Sequence, residues 1–183
     1  MKFPLFQIDA FSSHVFGGNP AAVVLLESWL PDKVLAAIAA ENNLSETAFV
    51  ILGANEIPLR WFTPTVEVDL CGHATLAAAH VLFRHFLPSA NQLTFTTRSG
   101  NLVAVRDADR LTLDFPARPG VPVEVSAQLV SALGVRPREV YLARDLLQIR
   151  PEGGKTRLHQ CQSVCRRLSG LGQNQRQLFR GLR

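Results

Sequence analysis

The chain has 183 residues, 47% hydrophobic and 19% charged, a balance that is typical of a globular protein with its own core. It contains no run of about 18 apolar residues, so we expect neither a transmembrane helix nor a membrane partner. The net charge of +4 comes from residues 151–183, which hold seven Lys/Arg and one acid, whereas residues 1–150 hold 12 Lys/Arg and 14 Asp/Glu. A basic segment can bind nucleic acid, but Phe179 is the one aromatic residue in this one. We therefore predict no specific nucleic-acid binding.

Apolar periodicity predicts a mixture of strands and helices along residues 1–149. One of the helices is rich in alanine and apolar around most of its circumference, so we expect other elements to surround it. Three short strands separated by turns predict an antiparallel meander. In chain order the predicted elements are strands at 3–11 and 21–26, a helix at 31–42, strands at 47–52 and 59–63, the alanine-rich helix at 71–86, strands at 93–97, 102–106 and 111–115, a helix at 126–133 and a strand at 139–147.

Two changes of composition divide the chain. Residues 116–122 are rich in proline and glycine and form a candidate boundary, and residues after Ile149 become rich in arginine and glutamine without a helix or strand pattern. We therefore predict an N-terminal domain at 1–115, a connector with the start of a second domain at 116–149, and a basic tail at 150–183. A disordered tail and a frame-shifted end of the gene are both consistent with this composition, and we favour the frameshift.

Glu46 is the first candidate catalytic residue. It leads directly into an apolar run that includes Ala48 and Phe49. Burial disfavours the charged form of a carboxyl group and raises its pKa, which suits a group that gives and takes protons near neutral pH. Taken alone, the pattern fits a solvated glutamate at a strand entrance at least as well.

The second candidate group lies at the start of the alanine-rich helix. Gly72 and His73 fall in its first turn, where free N–H groups and the helix dipole favour a bound carboxylate. His73 can also donate a hydrogen bond or move a proton, although a capping or core histidine is the commoner role. Cys71 is either a nucleophile activated by the helix N-terminus or a small buried apolar residue.

The sequence predicts no metal or nucleotide site. The spacing of His73, His80 and His85 on one helix does not assemble a set of metal ligands. In the tail, His159, Cys161 and Cys165 lie close together in sequence but lack a fourth ligand. There is neither a glycine-rich phosphate loop nor a nucleophile elbow. The few, unevenly placed cysteines form no disulfide framework, and the N-terminus has no secretory signal, so we expect a cytoplasmic protein.

Three motifs, in this order, resemble the PhzF-like (phenazine biosynthesis-like) isomerase family over residues 1 to about 147. They are Phe16-Gly17-Gly18-Asn19-Pro20-Ala21-Ala22-Val23, Asn43-Leu44-Ser45-Glu46-Thr47-Ala48-Phe49, and Arg60-Trp61-Phe62-Thr63-Pro64 running into Leu70-Cys71-Gly72-His73-Ala74-Thr75-Leu76. The resemblance implies an α/β fold like that of diaminopimelate epimerase. In that fold each of two domains curls a mostly antiparallel, barrel-like sheet around a central helix, and the active site lies between them.

The resemblance also implies roles for individual residues. Glu46 takes the position of the family's acid/base, His73 and Gly72 those of its substrate-binding pair, and Ser45 flanks the acid. The implied activity is the transfer of a proton between two carbons of a small carboxylate-bearing substrate, without metal or organic cofactor, in a protein that often forms a homodimer. In this branch the acid/base role belongs to the glutamate, so Cys71 is not among the expected catalytic residues.

The sequence departs from the family pattern near Gln148, where the charge balance also changes. Family members continue with an aspartate and a second glycine-rich loop, so we expect a truncated chain that largely lacks its second domain and has little or no isomerase activity. The alternative is a non-catalytic binding protein that retains half of the cleft and dimerises through exposed apolar surface.

Overall fold

A computed structural model describes residues 2–14, 16–53, 56–108, 110–115, 120–143 and 146–151. The chain divides into two compact units, the first spanning Met1–Pro116 and the second beginning at Ala117. Most of the predicted basic tail lies outside the described residues, and so do His159, Cys161 and Cys165.

The described residues of the first unit form eight strands and two α-helices. A single π-helical turn, Leu82–Phe86, follows the second helix and ends the segment that the sequence predicts as one helix. In chain order the elements are β1 (Leu5–Ala10), β2 (Asn19–Leu26), α1 (Asp32–Asn42), β3 (Glu46–Ile51), β4 (Ile57–Phe62), β5 (Glu67–Val68), α2 (Gly72–Val81), β6 (Gln92–Thr97), β7 (Gly100–Asp107) and β8 (Arg110–Asp114).

These strands form one curled, half-barrel sheet in the order β1-β2-β3-β4-β6-β7-β8, with β5 beside β4. The predicted meander is confirmed, because β6, β7 and β8 pair antiparallel. Two pairings are parallel, β2 with β3 and β4 with β6. The sheet is therefore mixed, and mostly antiparallel as the resemblance implies.

Helix α2 lies against the inner face of this sheet, where it contacts β1, β2, β3 and β8. Seven of its ten residues are buried. Its alanines let the backbone approach the strands closely, and they join large strand side chains such as Trp61, Phe95 and Leu102 in the main core. The predicted surrounded helix is thus confirmed.

The other face of the sheet is covered by α1. Proline at the N-cap position and Asp32 in the first turn begin this helix, and Asn43 ends it in the left-handed conformation with a φ of 49°. Leu35 and Ala39 are the buried residues of the helix, and they pack in a second apolar cluster with Val24, Leu26, Phe49 and Phe62.

Arg60 connects these layers electrostatically. From β4, its guanidinium makes two hydrogen bonds of 2.7 Å to the Glu67 carboxylate of β5 and a 2.9 Å ion pair with Asp32 at the start of α1. The guanidinium also lies over the rings of Trp29 and Phe62. The Glu67 hydrogen bond raises the pKa of Arg60 above its usual value, so this cation is permanent.

The second unit contains β9 (Val121–Val123), α3 (Ala127–Leu133), β10 (Pro137–Ala143) and β11 (Leu146–Pro151). The predicted helix at 126–133 is confirmed, with Ser126 as its N-cap and Gly134 as its left-handed C-cap. The prediction of one strand at 139–147 is wrong, because β10 and β11 pair as an antiparallel hairpin. Strand β9 also lies inside the predicted connector, and β11 includes the first two residues assigned to the tail.

Candidate active site

Glu46 is the first residue of β3 and is 4% exposed. The loop before it is fixed by the left-handed Asn43 and by a 3.1 Å hydrogen bond from the Asn42 amide to the Thr47 hydroxyl. Every following residue of the strand up to Val50 is buried. The apolar run that makes β3 a core strand therefore also draws the carboxyl group of Glu46 out of water.

His73 occupies the first turn of α2 and is also 4% exposed. Cys71 precedes the helix as its N-cap, and its carbonyl oxygen accepts hydrogen bonds from the Thr75 hydroxyl at 2.6 Å and the Thr75 N–H at 3.2 Å. Gly72 lies between Cys71 and His73, and among the described residues an added Cβ there would meet the ring of Phe115, at 3.9 Å. The first turn of α2 thus combines a buried imidazole with a stretch of open backbone.

The sheet and the helix bring Glu46 and His73 together. His73 Nε2 lies 3.2 Å from Glu46 Oε2, and on the other edge of the ring His73 Nδ1 lies 3.4 Å from Cys71 Sγ. The first contact lies within ion-pair distance. The imidazole therefore stands between a carboxyl group and a thiol.

Burial keeps the His73 imidazole and the Cys71 thiol uncharged. It lowers the pKa of His73 to about 4, against the opposing effect of a hydrogen bond to the Pro20 backbone. Burial, and secondly the charge of Glu46, raise the pKa of the Cys71 thiol well above its usual range, while the N–H groups of Ala74 and His73 act in the opposite direction. At neutral pH the site holds a neutral imidazole and a protonated thiol.

The structure also shows where the remaining predicted residue lies. Ser45 is exposed at the start of β3, and its hydroxyl donates a 3.0 Å hydrogen bond to the Asn19 carboxamide oxygen. Parallel pairing of β2 with β3 explains this contact, since Ala21 is in register with Glu46. Sequence analysis missed Asn19 and the backbone of Pro20 as neighbours of the site. The motif that contains them was visible, but the pairing of two strands separated by a helix was not.

Glu46, Cys71 and His73 also have ligand atoms within 4.8 Å of one another, which is a possible metal-binding set. As placed, however, His73 directs one ring nitrogen to the carboxyl group and the other to the thiol. A single ion bonded to one of these nitrogens would need a rearranged partner on the opposite edge. The absence of a metal cofactor stays a prediction.

Comparison with known proteins identifies the architecture. The family model described as phenazine biosynthesis-like protein matches residues 8–128. The chain belongs to the PhzF family of isomerases. An uncharacterized isomerase of Pseudomonas aeruginosa is 50% identical to it over 149 residues, covering 81% of this chain and 58% of that protein.

Solved structures of PhzF-family proteins resemble this chain. A PhzF-family protein of Enterococcus faecalis superposes with a TM-score of 0.72 at 42% identity, over 88% of this chain and 64% of that one. A predicted epimerase of Pseudomonas aeruginosa, at 20% identity and a TM-score of 0.64, shares the fold. The chain spans about half the length of the curated PhzF relatives it matches. No helix among the described residues is long and apolar enough to cross a membrane.

Proposed function

We propose that this PhzF-family chain carries the acid/base half of an isomerase site, in which Glu46 moves a proton between two carbons of a small carboxylate-bearing substrate. The observation that carries the proposal is the buried contact of 3.2 Å between Glu46 and His73. Family membership supports the reaction class, and burial of the carboxyl group supports its use as an acid as well as a base.

The proposed chemistry needs one group in two protonation states. Protonated Glu46 gives its proton to one carbon of the substrate, and the resulting carboxylate removes a proton from another carbon on the same face. The acid is regenerated and the double bonds of the substrate shift, so no external acid, base or electron carrier is consumed. Proton transfer by a positioned side chain contributes about 10²–10⁴-fold to the rate of such reactions.

The first turn of α2 supplies a place for the carboxylate of the substrate. The N–H groups at a helix N-terminus lack partners within the helix and carry partial positive charge. Of the described residues, only Phe115 comes within 4 Å of a Cβ added at Gly72, which leaves room for an anion to approach these N–H groups. We assign substrate binding to Gly72 and His73, and to Ser45 at the exposed entrance to β3.

Deuterium exchange tests this proposal. A dihydro-hydroxyanthranilate-like substrate is incubated with the chain in D₂O, and carbon-bound deuterium is measured by NMR for the unaltered protein and the Glu46→Gln variant. We expect the variant to exchange about 10²–10⁴-fold more slowly, because the amide neither gives nor takes the proton. Equal exchange in both proteins would contradict the assignment of Glu46.

A second candidate function is favoured by the loop between β1 and β2. Phe11 and Phe16 are 57% and 98% exposed there, and both have positive φ angles, 62° and 64°. Exposed aromatic rings offer apolar surface to a partner, so the alternative is a non-catalytic protein that dimerises. Light scattering of the chain and of Phe16→Ser separates the two candidates. A defined dimer that the substitution dissociates, with no deuterium exchange, favours binding over catalysis.

A further inference from the structure

We propose that Cys71 is a positioning residue, whose thiol donates to His73 Nδ1 and thereby places the ring proton on Nε2, the nitrogen that faces Glu46. This inference deepens the proposed function and takes its catalytic meaning from the proposed role of Glu46. The tautomer itself is a property of the protein without substrate, so it can be measured independently of turnover.

The contact that carries the inference is between two buried groups. Cys71 is 1% exposed and His73 is 4% exposed, and Sγ lies 3.4 Å from Nδ1, which is hydrogen-bond distance for sulfur. Both residues belong to the rigid start of α2, because the Cys71 carbonyl is tied to Thr75 by two hydrogen bonds. The thiol therefore meets the imidazole in one fixed arrangement.

The chemistry of the partners decides which ring nitrogen carries the proton. A neutral imidazole has one donor nitrogen and one acceptor nitrogen, and the partner of each selects its role. On the Nδ1 side stands a thiol, which keeps its proton and is available as a donor. On the Nε2 side stands a carboxyl group at 3.2 Å, which accepts through its unprotonated oxygen in the acid form as well as in the carboxylate form. With the proton on Nε2, Nδ1 is free to accept from the thiol and a polarised N–H faces the carboxyl group.

The opposite tautomer is unfavourable at this site. It would turn a bare Nε2 lone pair towards the Glu46 carboxylate, and two electron-rich atoms 3.2 Å apart repel in a site that is shielded from water. With Nε2 protonated, His73 instead stabilises the carboxylate that forms after Glu46 has given up its proton. Cys71 thus acts on the reaction through His73, without touching the substrate.

The tautomer is measured by NMR of protein labelled with ¹⁵N in its histidines, at pH 7. Long-range ¹H–¹⁵N correlations distinguish a protonated from a bare ring nitrogen at each position. The His73→Gln variant identifies the His73 signals. His85, whose ring stacks on Phe6 with centroids 5.0 Å apart, reports whether each variant is folded.

We expect the unaltered chain to hold His73 as the Nε2–H form, and Cys71→Ser to retain it because a hydroxyl also donates. Cys71→Ala should weaken this preference, because only Glu46 then favours the Nε2–H form, and a measurable Nδ1–H population should appear. An Nδ1–H tautomer in the unaltered protein would overturn the inference, and so would an unchanged tautomer in folded Cys71→Ala. If Cys71→Ala does not fold, the unaltered chain and Cys71→Ser decide. The tautomer spectra do not depend on turnover, so they test the role of Cys71 whether or not Glu46→Gln slows the deuterium exchange of the substrate.

Discussion

Acidification should destabilise the first unit through His73 over a defined pH window. In the unfolded chain a histidine takes up a proton below its ordinary pKa of 6.5, whereas burial keeps folded His73 neutral down to about pH 4. As the pH falls between these values, only the unfolded state gains the proton, so the free energy of unfolding decreases. Above 6.5 and below 4, His73 adds no further pH dependence.

The magnitude follows from the two pKa values. Each pH unit between them is worth about 1.36 kcal/mol, so the full window corresponds to a loss of about 3 kcal/mol, of which about 2 kcal/mol has occurred at pH 5. This is a large part of the 5–15 kcal/mol that holds a typical domain together. It is within reach of urea titrations, provided that the transition is two-state.

The assay compares the chain with its His73→Gln variant by urea unfolding at half-unit steps from pH 7.5 to 4. Other carboxylates titrate in both proteins, so the difference between the two curves isolates His73. Repeating the pair in a Glu46→Gln background removes the titration of the neighbouring carboxyl group. Parallel curves for the two proteins between pH 6.5 and 4 would refute the claim that folded His73 is neutral.

Three further changes test the packing, the ionic connection and the helix N-terminus. Leu102→Ala in the main core should cost about 2–5 kcal/mol of unfolding free energy, because Leu102 is 1% exposed, while Leu5→Ala at 50% exposure should cost less than about 1 kcal/mol; urea titration measures both. Arg60→Gln should lower the free energy of unfolding by about 2–4 kcal/mol, because it leaves the partly buried Glu67 without its bidentate partner. Arg98→Gln, at 54% side-chain exposure, should cost about 1 kcal/mol or less. Similar losses for the two variants would mean that burial does not set the strength of these ion pairs. Gly72→Ala should keep the melting temperature within a few degrees but abolish substrate binding by calorimetry, because the new methyl group fills the open space beside the first turn of α2; full binding would place the substrate elsewhere.

Hydrophobic period and turn chemistry were enough to predict most elements of the first unit. The meander is marked by turn residues between apolar runs, and α2 is marked by its alanine-rich composition. Strand β5 is two residues long and gives no periodic signal. The hairpin of β10 and β11 was predicted as one strand, because the chain between Ala143 and Leu146 contains neither glycine nor proline.

The candidate site was also predicted only in part from the sequence. Glu46 and His73 were identified from residue type, local pattern and family motifs, and the structure brings them into contact. The contact itself depends on how β3 and α2 pack, which local periodicity does not encode. The contact of Cys71 with His73 was missed for that reason, because a buried cysteine beside a helix N-terminus is commonly a packing residue.

The alanines of α2 determine how closely the helix packs against the strands of the half-barrel. Ala74, Ala77, Ala78 and Ala79 are all fully buried, so the strands rest on single methyl groups along the length of the helix. A larger side chain at any of them would push strand and helix apart, at a cost of about 1–3 kcal/mol. Because Glu46 belongs to the sheet and His73 to the helix, the width of these methyl groups also sets the distance between the two side chains. Substitutions of the alanines of α2 can therefore separate Glu46 from His73.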